Sequence, residues 1–274
     1  MARRTRDRVL AVLPALALAV TLSACAEEVG GDNGQGGEAG GVQLVEAGSL
    51  TTCTHLPYKP FQFSEGDKIV GFDVDLVDLV AKELGVQQKI IDTPFEGIQS
   101  GEDLNTGKCD LAAAGITITE VRKQNMDFSD PYFEATQALL VKKGSGIDSL
   151  EALRGKKLGV QLSTTGEEYA TQNRDTYGYE TVQFEDLALL ETAVKTGQVD
   201  AAINDNGVLL DFAKENPDVE VSAEFDTGEQ YGIGVRKGND ALRNKINEVL
   251  RKAKESGEYD RIYEKWFGKA PEQG

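Results

Sequence analysis

Histidine is nearly absent from this chain. One His in 274 residues excludes a histidine-rich metal site and would leave any Ser/His/Asp triad a single base, His55. Three cysteines are too few for a disulfide-built scaffold. Basic residues are scarce, 29 Lys and Arg against 46 Asp and Glu, for a net charge of −17. That balance argues against nucleic acid, which needs a cationic footprint. It argues equally against electrostatic docking on an anionic lipid surface. Long apolar runs are lacking too: no stretch reaches the 18 or so residues that read as a membrane-spanning helix. What is present suffices for folding. The chain is 40% hydrophobic and 27% charged, with a length that suits about two domains.

The first 25 residues set the compartment. Arg3, Arg4, Arg6 and Arg8 form a positive start, and Val9 to Val20 is apolar apart from Pro14. Such a run is a signal-peptide core rather than a span. Leu22-Ser23-Ala24-Cys25 then resembles the lipobox of bacterial lipoproteins, which implies cleavage before Cys25 and a lipid on its thiol. Cleavage would remove four Arg and one Asp and leave a charge of −20. Residues 26–42 hold seven Gly and four acidic residues, too little apolar surface to offset the entropy of ordering. We read 25–47 as a lipidated Cys and flexible tether, the Gly-rich part reaching roughly 20–25 Å.

The body alternates strand and helix. Leu50–Thr54, Gln88–Asp92 and Asp110–Gly115 read as strands, the last apolar enough to be buried on both faces. Asp73 reads as a helix N-cap. Behind it Val77, Val80, Ala81 and Leu84 recur at helical spacing, with Gly85 as the stop. Lys157–Gln161, Glu180–Phe184 and Asp200–Asn204 form a second set of strands. Leu242, Ile246, Val249, Leu250 and Ala253 make a late helical stripe closed by Gly257. Thr106-Gly107-Lys108-Cys109-Asp110-Leu111-Ala112 is echoed by Thr196-Gly197-Gln198-Val199-Asp200-Ala201-Ala202. The echo suggests two α/β lobes, and in open α/β sheets ligands sit beyond the carboxyl ends of strands. A cleft between the lobes is the expected site.

Several strand ends carry chemistry. After Gly115, Thr117 and Thr119 lead to Arg122, whose planar fork suits a small carboxylate. Ser163-Thr164-Thr165-Gly166 opens a helix and offers N–H groups and hydroxyls as an anion seat. Asn204-Asp205 ends a strand with a carboxylate able to meet an ammonium. Tyr58, Phe61 and Phe95, in loops, either wall a pocket or roof the core. A cation and an anion at opposing strand ends suit a zwitterion.

Gly71-Phe72-Asp73-Val74-Asp75-Leu76, Gly115-Ile116-Thr117-Ile118-Thr119 with Arg122, Asp127-Phe128-Ser129-Asp130-Pro131-Tyr132, Asn204-Asp205 and Tyr263-Glu264-Lys265-Trp266-Phe267-Gly268 follow one another in order. From about Leu50 to Gly268 the chain resembles the amino-acid-binding proteins of ABC importers (bacterial solute-binding protein family 3, glutamine/histidine-binding type). The resemblance implies an α/β, two-lobed, periplasmic-binding-protein-like (type II, Venus flytrap) fold with two hinge strands. Lobe 1 is expected at 48–136 plus 233–270 and lobe 2 at 137–232, with hinges near Thr136-Gln137-Ala138 and Tyr231-Gly232-Ile233.

The resemblance also implies roles. Arg122 and the N–H groups of Thr117 and Thr165 would clamp the ligand carboxylate. Asp205, the Gly115 carbonyl and the Thr117 hydroxyl would hold its ammonium. Tyr58 and Phe95 would sandwich the ligand, with Gln161, Thr164 and His55 toward its side chain. His55 stands where relatives with basic or amide ligands often carry Asp. That departure weakens the case for a basic ligand and favours glutamine, glutamate or another polar amino acid, unless His55 only serves its loop. The implied partners are a free amino acid, the transmembrane subunits of an ABC permease, and the membrane through the Cys25 lipid. No cofactor, metal or nucleic acid is implied, and the expected form is a monomer. A sensor module or a dehydratase-type enzyme on the same fold are the alternatives. Cys53 and Cys109 remain open. The outer compartment favours a disulfide, whereas a four-residue stagger between parallel strands would separate them by roughly 13 Å.

Overall fold

The computed structural model describes residues 36–271. The signal segment, the lipobox and Cys25 lie outside the described residues.

A short hairpin opens the fold, β1 (Gly37–Ala39) against β2 (Val42–Leu44). Val42 and Leu44 are buried in the main core beside Leu84, and the Val45 N–H donates to Asp110. The flexible tether expected through residue 47 does not extend over 37–44, because two apolar side chains of this stretch find a core to enter. Next come β3 (Ser49–Thr54), the small hairpin β4 (Phe63–Glu65) and β5 (Lys68–Val70), and α1 (Phe72–Leu84). Then follow β6 (Gln87–Asp92), α2 (Phe95–Gln99), α3 (Glu102–Asn105), β7 (Leu111–Ala112) and β8 (Met126–Phe128). β9 (Phe133–Lys142) leads into β10 (Lys157–Gln161), α4 (Thr165–Tyr177), β11 (Glu180–Phe184) and α5 (Leu187–Thr196). β12 (Ala201–Asp205), α6 (Asn206–Glu215) and the long β13 (Val219–Tyr231) come next. β14 (Gly234–Arg236), α7 (Asp240–Ser256) and α8 (Glu258–Phe267) close the chain.

The strands form two five-stranded sheets, β6-β3-β7-β14-β8 and β11-β10-β12-β9-β13. These are the two lobes. β3 runs parallel to β6 and β7, and β10 runs parallel to β11 and β12. The chain leaves the first sheet through β9 and returns through β13, with Phe133 paired to Tyr231 at the crossing. Tyr231–Ile233 lies at that crossing. Thr136–Ala138 sits inside the second sheet, where Gln137 pairs with Asp205 and Ala138 with Asn204.

Each sheet is covered on both faces. Leu50, Leu111 and Val235 pack under α1 and α7, while Cys53 and Ala112 face α2 and α3. The late stripe Leu242, Ile246, Val249, Leu250 and Ala253 is buried, and Gly257 ends α7 in the left-handed conformation. Burying five such side chains favours the fold by roughly 1.5–3 kcal/mol each at the larger ones. Phe61 is fully buried between Phe133 and Tyr231, ring centroids 4.9 and 5.2 Å away. Of the two options left open for it, Phe61 roofs the core.

Two expectations change and one open question closes. Asp73 is not a cap: α1 begins two residues earlier than expected, at Phe72, with Gly71 at its N-cap position, and Asp73 is buried in its first turn. The strand expected over Asp110–Gly115 shrinks to Leu111–Ala112 in the ladder, although the whole stretch is buried. Gly115, at φ +59, turns the backbone toward the cleft, and a Cβ there would meet the Tyr58 ring at 2.8 Å. Cys53 and Cys109 form a disulfide with a Cα–Cα distance of 5.7 Å. The large stagger assumed an extended chain before β7. Instead the chain turns through Gly107, at φ +74, and the Asp110 N–H reaches the Thr51 carbonyl, so Cys109 folds in beneath Cys53.

Candidate functional site

The strand ends converge on one cavity between the two sheets. All ten ligand-site residues read from the sequence line it. His55, Tyr58, Phe95, Gly115, Thr117 and Arg122 come from the first lobe. Gln161, Thr164, Thr165 and Asp205 come from the second. Gln62 and Ala114 complete the lining.

Arg122 is 4% exposed. Its backbone N–H is taken by the Thr119 hydroxyl at 3.1 Å, which fixes the one-turn helix that carries it. Its guanidinium donates to the Thr117 carbonyl at 2.9 Å and, across the cleft, to the Ser163 carbonyl at 3.1 Å. It also lies over the Phe95 ring, 5.4 Å from the centroid. Burial lowers its pKa, opposed by the negative charges of Glu168, Asp205 and Glu229. Five N–H donors sit on the fork, so two carbonyls leave the rest for a ligand oxygen. Ser163 is held at φ +66, the one non-glycine with positive φ among the described residues. Strain of this kind concentrates at functional sites. Thr164 follows as N-cap, accepting the Glu167 N–H, and Thr165 opens α4 with a first-turn N–H that has no intrahelical acceptor.

Asp205 is 4% exposed at the end of β12. Tyr58 places its hydroxyl 2.8 Å from the Asp205 carboxylate and 2.9 Å from Asn204. Tyr231 donates to the same carboxylate oxygen, and the Gln137 amide to the other. Burial, with the nearby charge of Glu229, pushes the Asp205 carboxyl up to about 6, against the pull of those three hydrogen bonds. Tyr58 and Tyr231 are pushed well above the ordinary phenol range by burial and by the Asp205 charge.

His55 and Gln62 line the same cavity, His55 beside Phe95. His55 Nδ1 lies 3.0 Å from the Thr93 carbonyl. A carbonyl only accepts, so Nδ1 carries a proton; in the neutral tautomer that leaves Nε2 as an acceptor. Gln62 is 1% exposed and donates its amide to the His55 carbonyl at 3.3 Å. Both His55 Nε2 and Gln62 Oε1 are buried without a partner. Buried polar atoms are nearly always paired. Both residues line the same cavity, and with His55 neutral both orphaned atoms are acceptors. Gln161, 1% exposed, accepts from the Asn204 amide at 3.1 Å.

Sequence reading missed Gln62, Gln137, Glu229, Tyr231 as a site residue, and Asp73. Asp73 supports the site from behind: it accepts from the Gly115 N–H and the Tyr132 hydroxyl, both at 2.8 Å, and burial pushes its carboxyl up to about 7. The Gly71-Phe72-Asp73 run carried the signal. Gly71 is required, since a Cβ there would lie 2.0 Å from the Phe61 carbonyl oxygen. Glu229 and Tyr231 share a strand face by the two-residue period of a strand, but no local pattern marks which face meets the cleft.

Residues 50–269 match the family described as bacterial extracellular solute-binding proteins, family 3. A "Probable histidine-binding protein" of Neisseria gonorrhoeae is 35% identical over 258 residues, 92% of each chain. The "ABC transporter glutamine-binding protein GlnH" of Bacillus subtilis (strain 168) is 41% identical over 210 residues, 74% of this chain and 75% of that one. Among solved structures, "An ancestral arginine-binding protein bound to arginine" is 46% identical with a TM-score of 0.76, covering 80% of this chain and 98% of the other. The two sheets joined by crossing strands, the buried Arg–Asp pair facing across the cleft and a match over 220 residues have one reading: the chain belongs to the bacterial extracellular solute-binding proteins of family 3.

Proposed function

We propose that this protein captures a free L-amino acid whose side chain ends in N–H donors, and delivers it to an ABC permease from the outer face of a membrane to which Cys25 anchors it. It is a binding protein, not an enzyme. Arg122 with the N–H groups of Thr117 and Thr165 takes the ligand carboxylate. Asp205, the Gly115 carbonyl and the Thr117 hydroxyl take the ammonium. Tyr58 and Phe95 flank the ligand, and Gln161 and Thr164 line its flank in the second lobe.

One observation carries the ligand class: the paired orphan acceptors, His55 Nε2 and Gln62 Oε1. A terminal amide, guanidinium or imidazole N–H satisfies both. With His55 neutral, a glutamate carboxylate would add acceptors to acceptors and leave all of them unpaired, at about 1–3 kcal/mol per group. Glutamate therefore drops out of the ligands expected from sequence, and arginine and histidine return, because Gln62 supplies the acceptor that His55 alone does not guarantee. The relatives named for histidine, glutamine and arginine all take side chains that end in N–H donors.

Titration calorimetry of ligand-stripped protein with glutamine, arginine and histidine tests the receptor reading, with Arg122→Ala as the control. A micromolar ligand corresponds to about −8 kcal/mol. Removing one partner of a buried charge pair costs about 2–5 kcal/mol, so Arg122→Ala should weaken binding at least roughly thirtyfold. Wild-type affinity in that variant would refute the assignment of Arg122 to the carboxylate.

A further inference from the structure

We infer that Glu229 is a positioning residue of the binding site, the shared carboxylate acceptor that fixes which way the Thr117 and Thr165 hydroxyls point as the two lobes meet. The inference rests on the receptor reading above and deepens it.

Glu229 lies on β13, one of the two crossing strands, where the ladder with β9 is interrupted. Phe225 pairs with Gln137 and Glu229 with Ala135, so β13 carries two extra residues at this point, with Gly228 at φ +63 within them. Bulges recur beside functional sites, where they re-aim a side chain. The Glu229 carboxylate reaches three other elements. It accepts from the Thr117 hydroxyl of the first lobe at 3.3 Å and the Thr165 hydroxyl of the second at 3.0 Å. It also accepts from the Gln137 amide of the other crossing strand at 3.0 Å. Gln137 in turn links it to Asp205.

The proton count gives this junction its meaning. An ionised carboxylate only accepts, and a hydroxyl has one proton and two lone pairs. Each threonine that donates to Glu229 therefore keeps only lone pairs for its other neighbours. The two hydroxyl oxygens lie 3.4 Å apart beside the cavity. With their protons turned away, both present acceptors, which suits an ammonium and repels a carboxylate. Glu229 thus selects which end of the amino acid lies here, and it makes that selection only when Thr117 and Thr165 have come together.

Its charge also bears on Asp205, which faces Glu229, Tyr58 and Tyr231 and lies within the field of Arg122. Asp205 must be ionised to hold an ammonium, so binding weakens as pH falls through its titration. Glu229 raises that point, and neutralising Glu229 lowers it.

The test is Glu229→Gln, titrated with glutamine and arginine from pH 4.5 to 8. The amide keeps an acceptor and the shape but loses the charge. A charge-assisted hydrogen bond made neutral should weaken binding about tenfold at pH 7.5, and the acid limb of the binding profile should move to lower pH. A merely structural role would not move that limb. Unchanged affinity overturns the inference, and so does weaker binding with an unmoved limb. A wild-type protein that binds no amino acid overturns the receptor reading and this inference together; a wild type that binds, with Glu229→Gln identical to it, overturns this inference alone.

Discussion

Replacing Asp205 by Asn should make the ligand-free protein more stable while it destroys binding. The Asp205 carboxyl is raised from 3.8 to about 6 by burial and by the Glu229 charge. That shift is a net quantity, with the hydrogen bonds from Tyr58, Tyr231 and Gln137 already counted. Two pH units at 1.36 kcal/mol each amount to about 3 kcal/mol, by which the ionised group opposes folding. The sign follows from proton counts. Between the unfolded and folded values the native state binds more protons, so stability falls as pH rises from about 4 to about 6 and stays lower above. Asn carries no charge to desolvate. Its oxygen can accept a tyrosine hydroxyl, and its amide can donate to Gln137 Oε1, which is buried and unpartnered, once the Gln137 amide rotates. At 2–4 °C per kcal/mol for a body this size, the melting temperature at pH 8 should rise by roughly 6–12 °C. Calorimetry of ligand-free wild type and Asp205→Asn at pH 8 and pH 4 reads both ends. The gain should disappear at pH 4, where the wild-type carboxyl is protonated, and ligand should no longer shift the variant's melting at either pH. A variant that melts at or below wild type at pH 8, or gains equally at pH 4, would refute the reasoning.

Removing the Cys53–Cys109 bridge, which closes a loop with a sequence separation of 56, should cost about 4 kcal/mol by loop-closure entropy; a double Cys→Ala variant should melt roughly 8–16 °C lower, and an unchanged melting point would remove the bridge from the account. Gln62→Glu places a carboxylate beside His55, so arginine should gain on glutamine by roughly tenfold in relative affinity, as competitive titration at pH 7.5 would show; a shift toward glutamine would contradict the placement of Gln62. Asp73 and Glu191 are pushed up by burial to about 7 and about 8, and each therefore favours folding while protonated. Chemical denaturation of ligand-free protein should accordingly show stability falling from pH 6 to pH 9, and a rise over that window would contradict the burial of these carboxyls.

Much of this molecule was legible in its sequence where the signal is local. The stripe Leu242–Ala253 and its Gly257 stop became α7, because helix periodicity and a left-handed C-cap are both short-range. β10 and β11 fall on the residues read for them, bounded by turns the sequence marks. The ten site residues meet in one cavity since strand ends and helix starts of both lobes face it. What failed was long-range. Cys53 and Cys109 pair through a turn whose path is set by Gly107 and the Asp110–Thr51 contact, 59 residues apart. Val42 and Leu44 look solvated among glycines until the core cluster they join is known. Asp73 has the look of a cap, and only the Gly115 N–H and the Tyr132 hydroxyl, 42 and 59 residues on, reveal it as a buried support. Gln62 was hidden for the same reason: its orphaned oxygen is visible only against His55.

In the proposed function, His55 Nε2 and Gln62 Oε1 choose the ligand. The most direct measurement is a thermal-shift panel of ligand-stripped protein against the 20 amino acids, with glutamine and glutamate as the decisive pair. They share size and shape and differ in a terminal –NH₂ against –O⁻. At a thousandfold excess over Kd, binding adds about 4 kcal/mol, or roughly 8–16 °C. Such a shift is expected for one or more of glutamine, arginine and histidine, and none for glutamate. A shift with glutamate as large as any other would contradict it.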